Sequence, residues 1–116
     1  MIIARSQMLS LSESAKREFD TTLALSLMRA RPSETFPGFE AAVTFVRACI
    51  ERGLGFGITS EAGLEQYVTA SWILGGCADD RDEGIRRVLS NRELASFYRA
   101  NESRIRAEQL ARRPHG

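Results

Sequence analysis

The segment from Gly53 to Gly76, GLGFGITSEAGLEQYVTASWILGG, constrains the fold more than any other part of the sequence. Thr59 or Ser60 can accept hydrogen bonds from the first backbone amides of a helix, and the glycine pair at the end of the segment can stop it. Between these signals, apolar residues recur at roughly helical spacing: Leu64, Tyr67, Val68, Trp72 and Leu74. The segment therefore predicts a central helix whose apolar face, including Trp72, lies in the core.

Three alternating glycines, Gly53, Gly55 and Gly57, open this segment and superficially resemble a phosphate-binding loop. Such a loop follows a strand and leads into a Lys-Ser or Lys-Thr pair, whereas this one follows a predicted helix and has no such pair. We interpret Gly53 as the stop of the preceding helix and the next residues as a turn with positive φ. Nucleotide binding is therefore not expected.

Four more helices are expected around the central one. Their predicted ranges are 6–31, 37–52, a short stretch containing Ile85, Val88 and Leu89, and 90–112. Phe36 lies in the linker between the first two helices and is expected to fill the core, and a capping box, Ser90 to Glu93, marks the start of the last. The pattern predicts an all-α, compact single domain of about five helices over residues 1–113, followed by a disordered tail, 114–116.

The first and last helices carry more apolar length than a small core needs. The inner stripe of the last helix is predicted as Leu94, Phe97, Tyr98, Asn101, Ile105 and Leu110. Candidate partner-binding residues on the two helices are Met8, Leu11, Phe19, Phe97, Tyr98 and Ile105. The alternative is that these side chains pack internally. Replacing Phe19 with Asp separates the two, because loss of folding would place Phe19 in the core.

The charges are nearly balanced, with 16 basic and 15 acidic side chains and a net charge of +1. Such a field does not favour binding to nucleic acid or to a membrane surface. We find no apolar run of the roughly 18 residues that a membrane-spanning helix needs, and polar residues interrupt the N-terminal 20 residues where a secretion signal would lie. Cys49 and Cys77 are expected to be free thiols, Cys49 in the core, which suits the cytoplasm.

The sequence carries no evident catalytic constellation. Its only histidine is His115, in the predicted tail, and its only lysine is Lys16. The acidic run of Asp79, Asp80, Asp82 and Glu83 lacks the later glutamate of a calcium loop, so we expect it to cap the following short helix. No enzyme activity, metal or cofactor is predicted.

Several short motifs together resemble a group of small helical proteins encoded beside spike, adaptor and effector genes of the bacterial type VI secretion system. The motifs are Gln7-Met8, Val46 to Gly53, Gly57-Ile58-Thr59-Ser60-Glu61, Gln66-Tyr67-Val68 and Ile73-Leu74-Gly75. The similarity covers about residues 6–90. It implies an accessory role in loading or holding a secreted effector, with no assigned catalytic residues.

Two functional hypotheses follow. The first is a protein-interaction module that binds an effector, or an effector with its adaptor, in the bacterial cytoplasm and forms a hetero-oligomer. The second is an immunity-like inhibitor that blocks the active site of a neighbouring toxin, for which the acidic run at 79–83 is the candidate surface.

Overall fold

The computed structural model describes residues 12–112 and contains six helices over that range. They are α1 (Glu13–Ala30), α2 (Phe39–Gly55), α3 (Glu61–Leu74), α4 (Ala78–Arg81), α5 (Glu83–Ser90) and α6 (Ser96–Arg112). The predicted all-α domain is confirmed, with α4 as a single extra turn beside five longer helices. The candidate residues Met8 and Leu11 and the predicted tail lie outside the described residues.

The central helix, α3, is bounded by a serine cap at its start and a glycine at its end. At its start the side chain of Ser60 accepts a hydrogen bond from the backbone amide of Gly63 at 3.0 Å. At its end Gly75 has a φ of 76°, a left-handed conformation that glycine adopts without strain. Its buried residues are Gly63, Leu64, Tyr67, Val68, Ala70, Ser71 and Trp72. This helix packs most extensively on α6 and also contacts α2 and α4, which confirms its central position.

An aromatic cluster joins the α1–α2 linker to α2 and α3. The ring of Phe36 stacks on Phe45 with centroids 4.0 Å apart and lies 5.0 Å from the ring of Trp72. The indole nitrogen of Trp72 donates a hydrogen bond to the backbone oxygen of Arg31 at 2.7 Å. The linker is therefore anchored to the core, as predicted for Phe36, and Trp72 is buried.

The first helix, α1, begins at Glu13, later than the predicted start near Ser6. Ser12 has an extended backbone, and its side chain accepts a hydrogen bond from the amide of Ala15 at 3.1 Å, so Ser12 is the N-cap. Residues 6–11 of the predicted helix lie outside the described residues.

The second helix continues through Gly53 to Gly55, so the predicted stop at Gly53 is wrong. A methyl group on Gly53 would lie 2.8 Å from Leu64 Cδ2 and 3.3 Å from Tyr67 Cδ2. Glycine is therefore required here by the close approach of α3, not by a change of backbone direction. The turn comes four residues later, at Gly57, which has a φ of 82°.

The acidic run lies across two short helices, α4 and α5, where the sequence predicted a single short helix. Asp82 ends α4 and caps α5, because its side chain accepts a hydrogen bond from the amide of Ile85 at 3.0 Å. This confirms the predicted capping role for part of the run. Ile85 and Leu89 are buried, and Val88 is half-buried.

The last helix begins at Ser96, and the predicted capping box is wrong. Ser90 is the final residue of α5, and a turn follows in which Asn91 accepts a hydrogen bond from the amide of Glu93 at 3.2 Å. The buried face of α6 also differs from the predicted inner stripe. The buried residues of α6 are Arg99, Ala100, Ser103 and Ala107, mostly small, whereas Phe97 and Tyr98 are 46% and 49% exposed. Small residues at this interface let α6 lie close to α3.

Over residues 12–112, no helix combines the length and the hydrophobicity needed to cross a membrane.

Candidate functional site

A groove runs between α1 and α3. Because α1 packs mainly on α2 and touches α3 only lightly, the two helices leave an open volume of about 560 Å³ between them. Phe19, Leu23 and Leu27 form its floor and are spaced one helical turn apart along α1. All three side chains also belong to the hydrophobic core, so the floor is one edge of that core.

The walls of the groove follow from helical spacing on both sides. On α1, the residues beside the floor are small, namely Ala15, Thr22, Ser26 and Ala30. On α3, Glu61, Glu65 and Thr69 recur every four residues and form a polar wall opposite them. The groove is thus apolar at its base and polar along its upper edges.

Two residues of the groove lining, Arg31 and Gln66, are hydrogen-bonded to side chains of α6. The guanidinium of Arg31 donates to Glu108 Oε2 at 2.7 Å, and Arg104 donates to Gln66 and also pairs with Glu108. Partial burial acts to raise the pKa of Glu108, but the hydrogen bond from Arg31 and the charge of Arg104 outweigh it and hold this pKa below its usual range. Glu108 is therefore ionised at neutral pH and ties α6 to α1.

The described part of the groove lining contains charged side chains on both helices. They are the carboxylates of Glu18, Glu61 and Glu65 and the guanidinium of Arg31, which is paired with Glu108.

The candidate partner-binding residues within 12–112 lie at separate places in the structure. Phe19 is only 9% exposed, and although it lines the groove it also packs in the core. Phe97 and Tyr98 lie on the first turn of α6, and Ile105 lines a separate shallow depression between α5 and α6 of about 240 Å³. An Asp at position 19 would therefore disturb folding together with any contact at the groove.

The acidic run at 79–83 is occupied by ion pairs within the chain. Asp79 is buried and accepts hydrogen bonds from Arg52 at 2.6 and 2.8 Å and from the hydroxyl of Tyr67 at 2.6 Å. Arg52 also pairs with Asp80 at 2.8 Å. Further along the run, Asp82 pairs with Arg106, and Glu83 lies 3.7 Å from Arg87.

The hydrogen bonds of Asp79 shift the pKa values of Asp79 and Tyr67 in opposite directions. Burial acts to raise the pKa of Asp79, but the hydrogen bonds from Arg52 and Tyr67 outweigh burial and lower it. Burial and the hydrogen bond to Asp79 raise the pKa of Tyr67, so its hydroxyl stays protonated and donates. Among residues 12–112, no group of three or more His, Cys, Asp or Glu side chains is arranged to hold a metal ion.

The two cysteines are free, with Cys49 buried and Cys77 half-buried, as predicted for Cys49. Burial, together with the nearby Cys77, raises the pKa of Cys49. A thiol with a raised pKa is a poor nucleophile, so the environment of Cys49 suits packing and not covalent chemistry.

The groove was missed by the sequence analysis, which followed the large apolar side chains. The available signal was the line of small residues on α1, Ala15, Thr22, Ser26 and Ala30, directly beside the apolar stripe. A line of small residues marks a face that can accept another helix closely, but only the packing of α1 against α2 leaves that face uncovered by α3.

Comparison of the chain with models of known protein families, with curated proteins and with solved structures finds no match.

Proposed function

We propose that this chain is a non-catalytic protein-interaction module that binds a secreted effector of a bacterial type VI secretion system, or the adaptor that accompanies it, before secretion. The observation that carries the proposal is the α1–α3 groove, with its apolar floor and polar edges along the length of α1. A concave apolar surface with a few polar groups at its edge is the usual form of a binding site. The complex would be a hetero-oligomer in the bacterial cytoplasm.

The choice of secretion system depends on the motif resemblance. Several of the motif residues build the scaffold that positions the groove: Gly57 makes the turn before α3, Ser60 caps α3, and Gly75 ends it. Glu61, in the same motif, lies in the groove wall. The motif residues thus shape the ends of α3, and α3 forms one side of the groove proposed to hold the partner.

A tagged pull-down from the native host tests this function. The chain is purified under a moderate salt wash, and the retained proteins are identified by mass spectrometry. We expect an effector or an adaptor of the secretion system in a fixed ratio to the bait. Recovery of the bait alone, as a monomer at several salt concentrations, would overturn the proposal.

The immunity-like alternative needs an exposed charged cluster that enters a toxin active site. Asp79, the most buried member of the acidic run, is bonded to Arg52 and Tyr67, and its acidic neighbours also pair within the chain. These pairs favour the interaction module over the inhibitor. Co-expression with the neighbouring toxin separates them, because an inhibitor restores cell growth and a loading protein does not.

A further inference from the structure

We propose that the guanidinium groups of Arg92 and Arg99 bind a phosphate group where they meet, at the turn between α2 and α3. This site lies outside the α1–α3 groove and does not depend on the proposed function. Three observations carry the inference, namely the convergence of the two guanidinium groups, the N–H donors that they leave unused and the positive charge that remains there.

The two guanidinium groups converge on Gly57, which turns the chain after α2 with a φ of 82°. A methyl group at this glycine would collide with Arg92 Nη1 and would lie 3.7 Å from Arg99 Nη2. The end of α2 holds both groups in place. Arg92 donates to the backbone oxygen of Gly55 at 2.8 Å, and Arg99 donates to that of Phe56 at 2.7 Å. Backbone hydrogen bonds therefore orient both guanidinium groups.

Both side chains keep N–H groups that no other group of residues 12–112 accepts. Arg99 donates from Nε and Nη1 to three backbone oxygens, which leaves Nη2. Arg92 donates from Nη2, which leaves Nε and Nη1. Within the described part of the chain every buried side-chain nitrogen has a hydrogen-bond partner, so Nη2 of the otherwise buried Arg99 must reach solvent. Unused donors of both residues are therefore accessible to a ligand.

The site also keeps a net positive charge. Neither guanidinium pairs with a carboxylate of residues 12–112, although buried arginines are seldom unpaired. The C-terminal ends of α2 and α5, to which the two groups donate, each carry roughly half a negative charge, so a positive excess of about one charge remains. Burial and the charge of Arg92 lower the pKa of Arg99. An anion between the two guanidinium groups would offset their repulsion.

The arrangement of donors favours phosphate over carboxylate. A carboxylate is typically held by two parallel N–H groups of one guanidinium. Arg99 cannot supply such a pair, because two of its three nitrogens already donate to backbone oxygens. A phosphate group has three terminal oxygens and a charge of roughly −1.5 to −2 at neutral pH, so it can accept from both arginines at once. The backbone amides of Gly57 and Ile58 already donate within the turn, so the arginines and not a glycine-rich loop supply the contacts.

The test is a titration of the isotope-labelled full chain followed by NMR spectroscopy. Inorganic phosphate, glycerol phosphate and acetate are added separately at constant ionic strength, and the signals read are the Gly57 amide and the arginine Nε–H groups. We expect saturable shifts with a Kd on the order of 1 mM for inorganic phosphate and at least about tenfold weaker binding of acetate. Saturation by both phosphates supports a phosphate group carried on a larger molecule, and saturation by inorganic phosphate alone supports the free ion as the ligand.

A matched pair of variants locates the binding. Arg92→Gln removes a guanidinium from an exposed position at the site, and Arg29→Gln removes one from an exposed position on α1, outside it. The two substitutions change the net charge equally, so they alter any non-specific attraction to the same extent. We expect Arg92→Gln to weaken phosphate binding at least about tenfold and Arg29→Gln to bind phosphate like the unmodified chain. Circular dichroism confirms that both variants remain helical.

Three outcomes would overturn the inference. Equal weakening in the two variants would attribute the binding to the net charge of the protein. Equal affinity for acetate and phosphate would remove the preference for phosphate. Shifts that still rise linearly at about ten times the expected Kd would show that no specific site exists. None of these outcomes affects the pull-down test of the interaction module, because the α1–α3 groove and the arginine site share no residue.

Discussion

Arg99 is 4% exposed, and its guanidinium is held by backbone carbonyl oxygens. It donates to the oxygens of Leu89 and Phe56, each at 2.7 Å, and to that of Leu94 at 3.1 Å. Leu89 and Phe56 lie at the C-terminal ends of α5 and α2, which carry partial negative charge, and Leu94 lies in the turn before α6. Burial and the neighbouring Arg92 lower the pKa of Arg99, yet arginine stays protonated at neutral pH. One side chain thus joins three elements.

Replacing Arg99 with Met is expected to destabilise the protein by about 2–4 kcal/mol, because buried carbonyl oxygens lose their donors while most of the side-chain volume remains. Urea unfolding followed by circular dichroism measures the free energy of unfolding. The control is Arg86→Met on the exposed face of α5, for which we expect a change within about 0.5 kcal/mol. Equal effects of the two substitutions would contradict the role given to Arg99.

The buried carboxylate of Asp79 leads to a prediction about the stability of the fold at low pH. Its side chain is 3% exposed and its pKa is lowered in the folded state, so the unfolded chain binds the proton more readily. The stability that it contributes is complete above its unfolded pKa of about 4 and is lost as the pH falls through the lower folded pKa.

We therefore expect Asp79→Asn to be less stable than the unmodified protein by about 1–3 kcal/mol at pH 6, with the difference shrinking below about pH 4. Urea unfolding at a series of pH values measures the difference. Asp80→Asn, at an exposed position that shares the Arg52 guanidinium, is the control and should change stability far less. If the difference in the free energy of unfolding between Asp79→Asn and the unmodified protein stays constant or widens in acid, the charge of Asp79 is not what stabilises the fold.

At the scale of the helices, local signals predicted some boundaries well. The glycine stop of α3 was predicted from the sequence, and Ser60 was one of two predicted caps, because each depends on hydrogen bonds or a φ angle within a few residues. The start of α6 was not predicted correctly. Residues Ser90 to Glu93 match the capping-box pattern, but Ser90 is the last residue of α5. Contacts between distant parts of the chain decide which of the two possible starts α6 uses. The hydrogen bonds from Arg99 to the backbone oxygens of Phe56 and Leu89 are among these contacts.

The two glycines at the end of α2 make a matched comparison. A methyl group at position 53 would press on Leu64 and Tyr67, whereas nothing lies within 4 Å of one at position 55. We expect Gly53→Ala to lower the free energy of unfolding by about 1 kcal/mol, since overpacking outweighs the gain in helix propensity. Gly55→Ala should raise it by about 0.5–1 kcal/mol through that propensity alone. Thermal unfolding of both variants measures the difference, and effects of the same sign would contradict the close approach of α3 at Gly53.

At the scale of the whole molecule, the core was more predictable than the candidate site. Trp72 and the other apolar residues of α3 recur at helical spacing, and their burial follows almost directly from that pattern. The groove instead depends on how far α1 stands from α3, which no local pattern specifies. Phe19 was therefore predicted from its size, whereas the small residues Thr22 and Ser26, which border the groove, were not.

The acidic run illustrates the same limit. The sequence predicted that this run caps the following helix, with a toxin-binding surface as the alternative, and the cap depends only on neighbouring residues. The ion pairs with Arg52, Arg87 and Arg106 were not predicted. The identity of these partners depends on the packing of α2 and α6 around α4 and α5.

The most direct test of the central claim is a pull-down of the proposed effector or adaptor partner from the native host, comparing two tryptophan variants of the chain. Thr22→Trp places a large side chain in the groove, and Thr44→Trp places the same side chain on the exposed face of α2, outside it. Both positions are exposed, so both variants should fold, which circular dichroism checks. We predict that Thr44→Trp retains the partner at the ratio of the unmodified chain and that Thr22→Trp loses at least about nine-tenths of it, a tenfold weakening of binding. Retention of the partner by a folded Thr22→Trp chain would contradict the claim that the α1–α3 groove is the binding site.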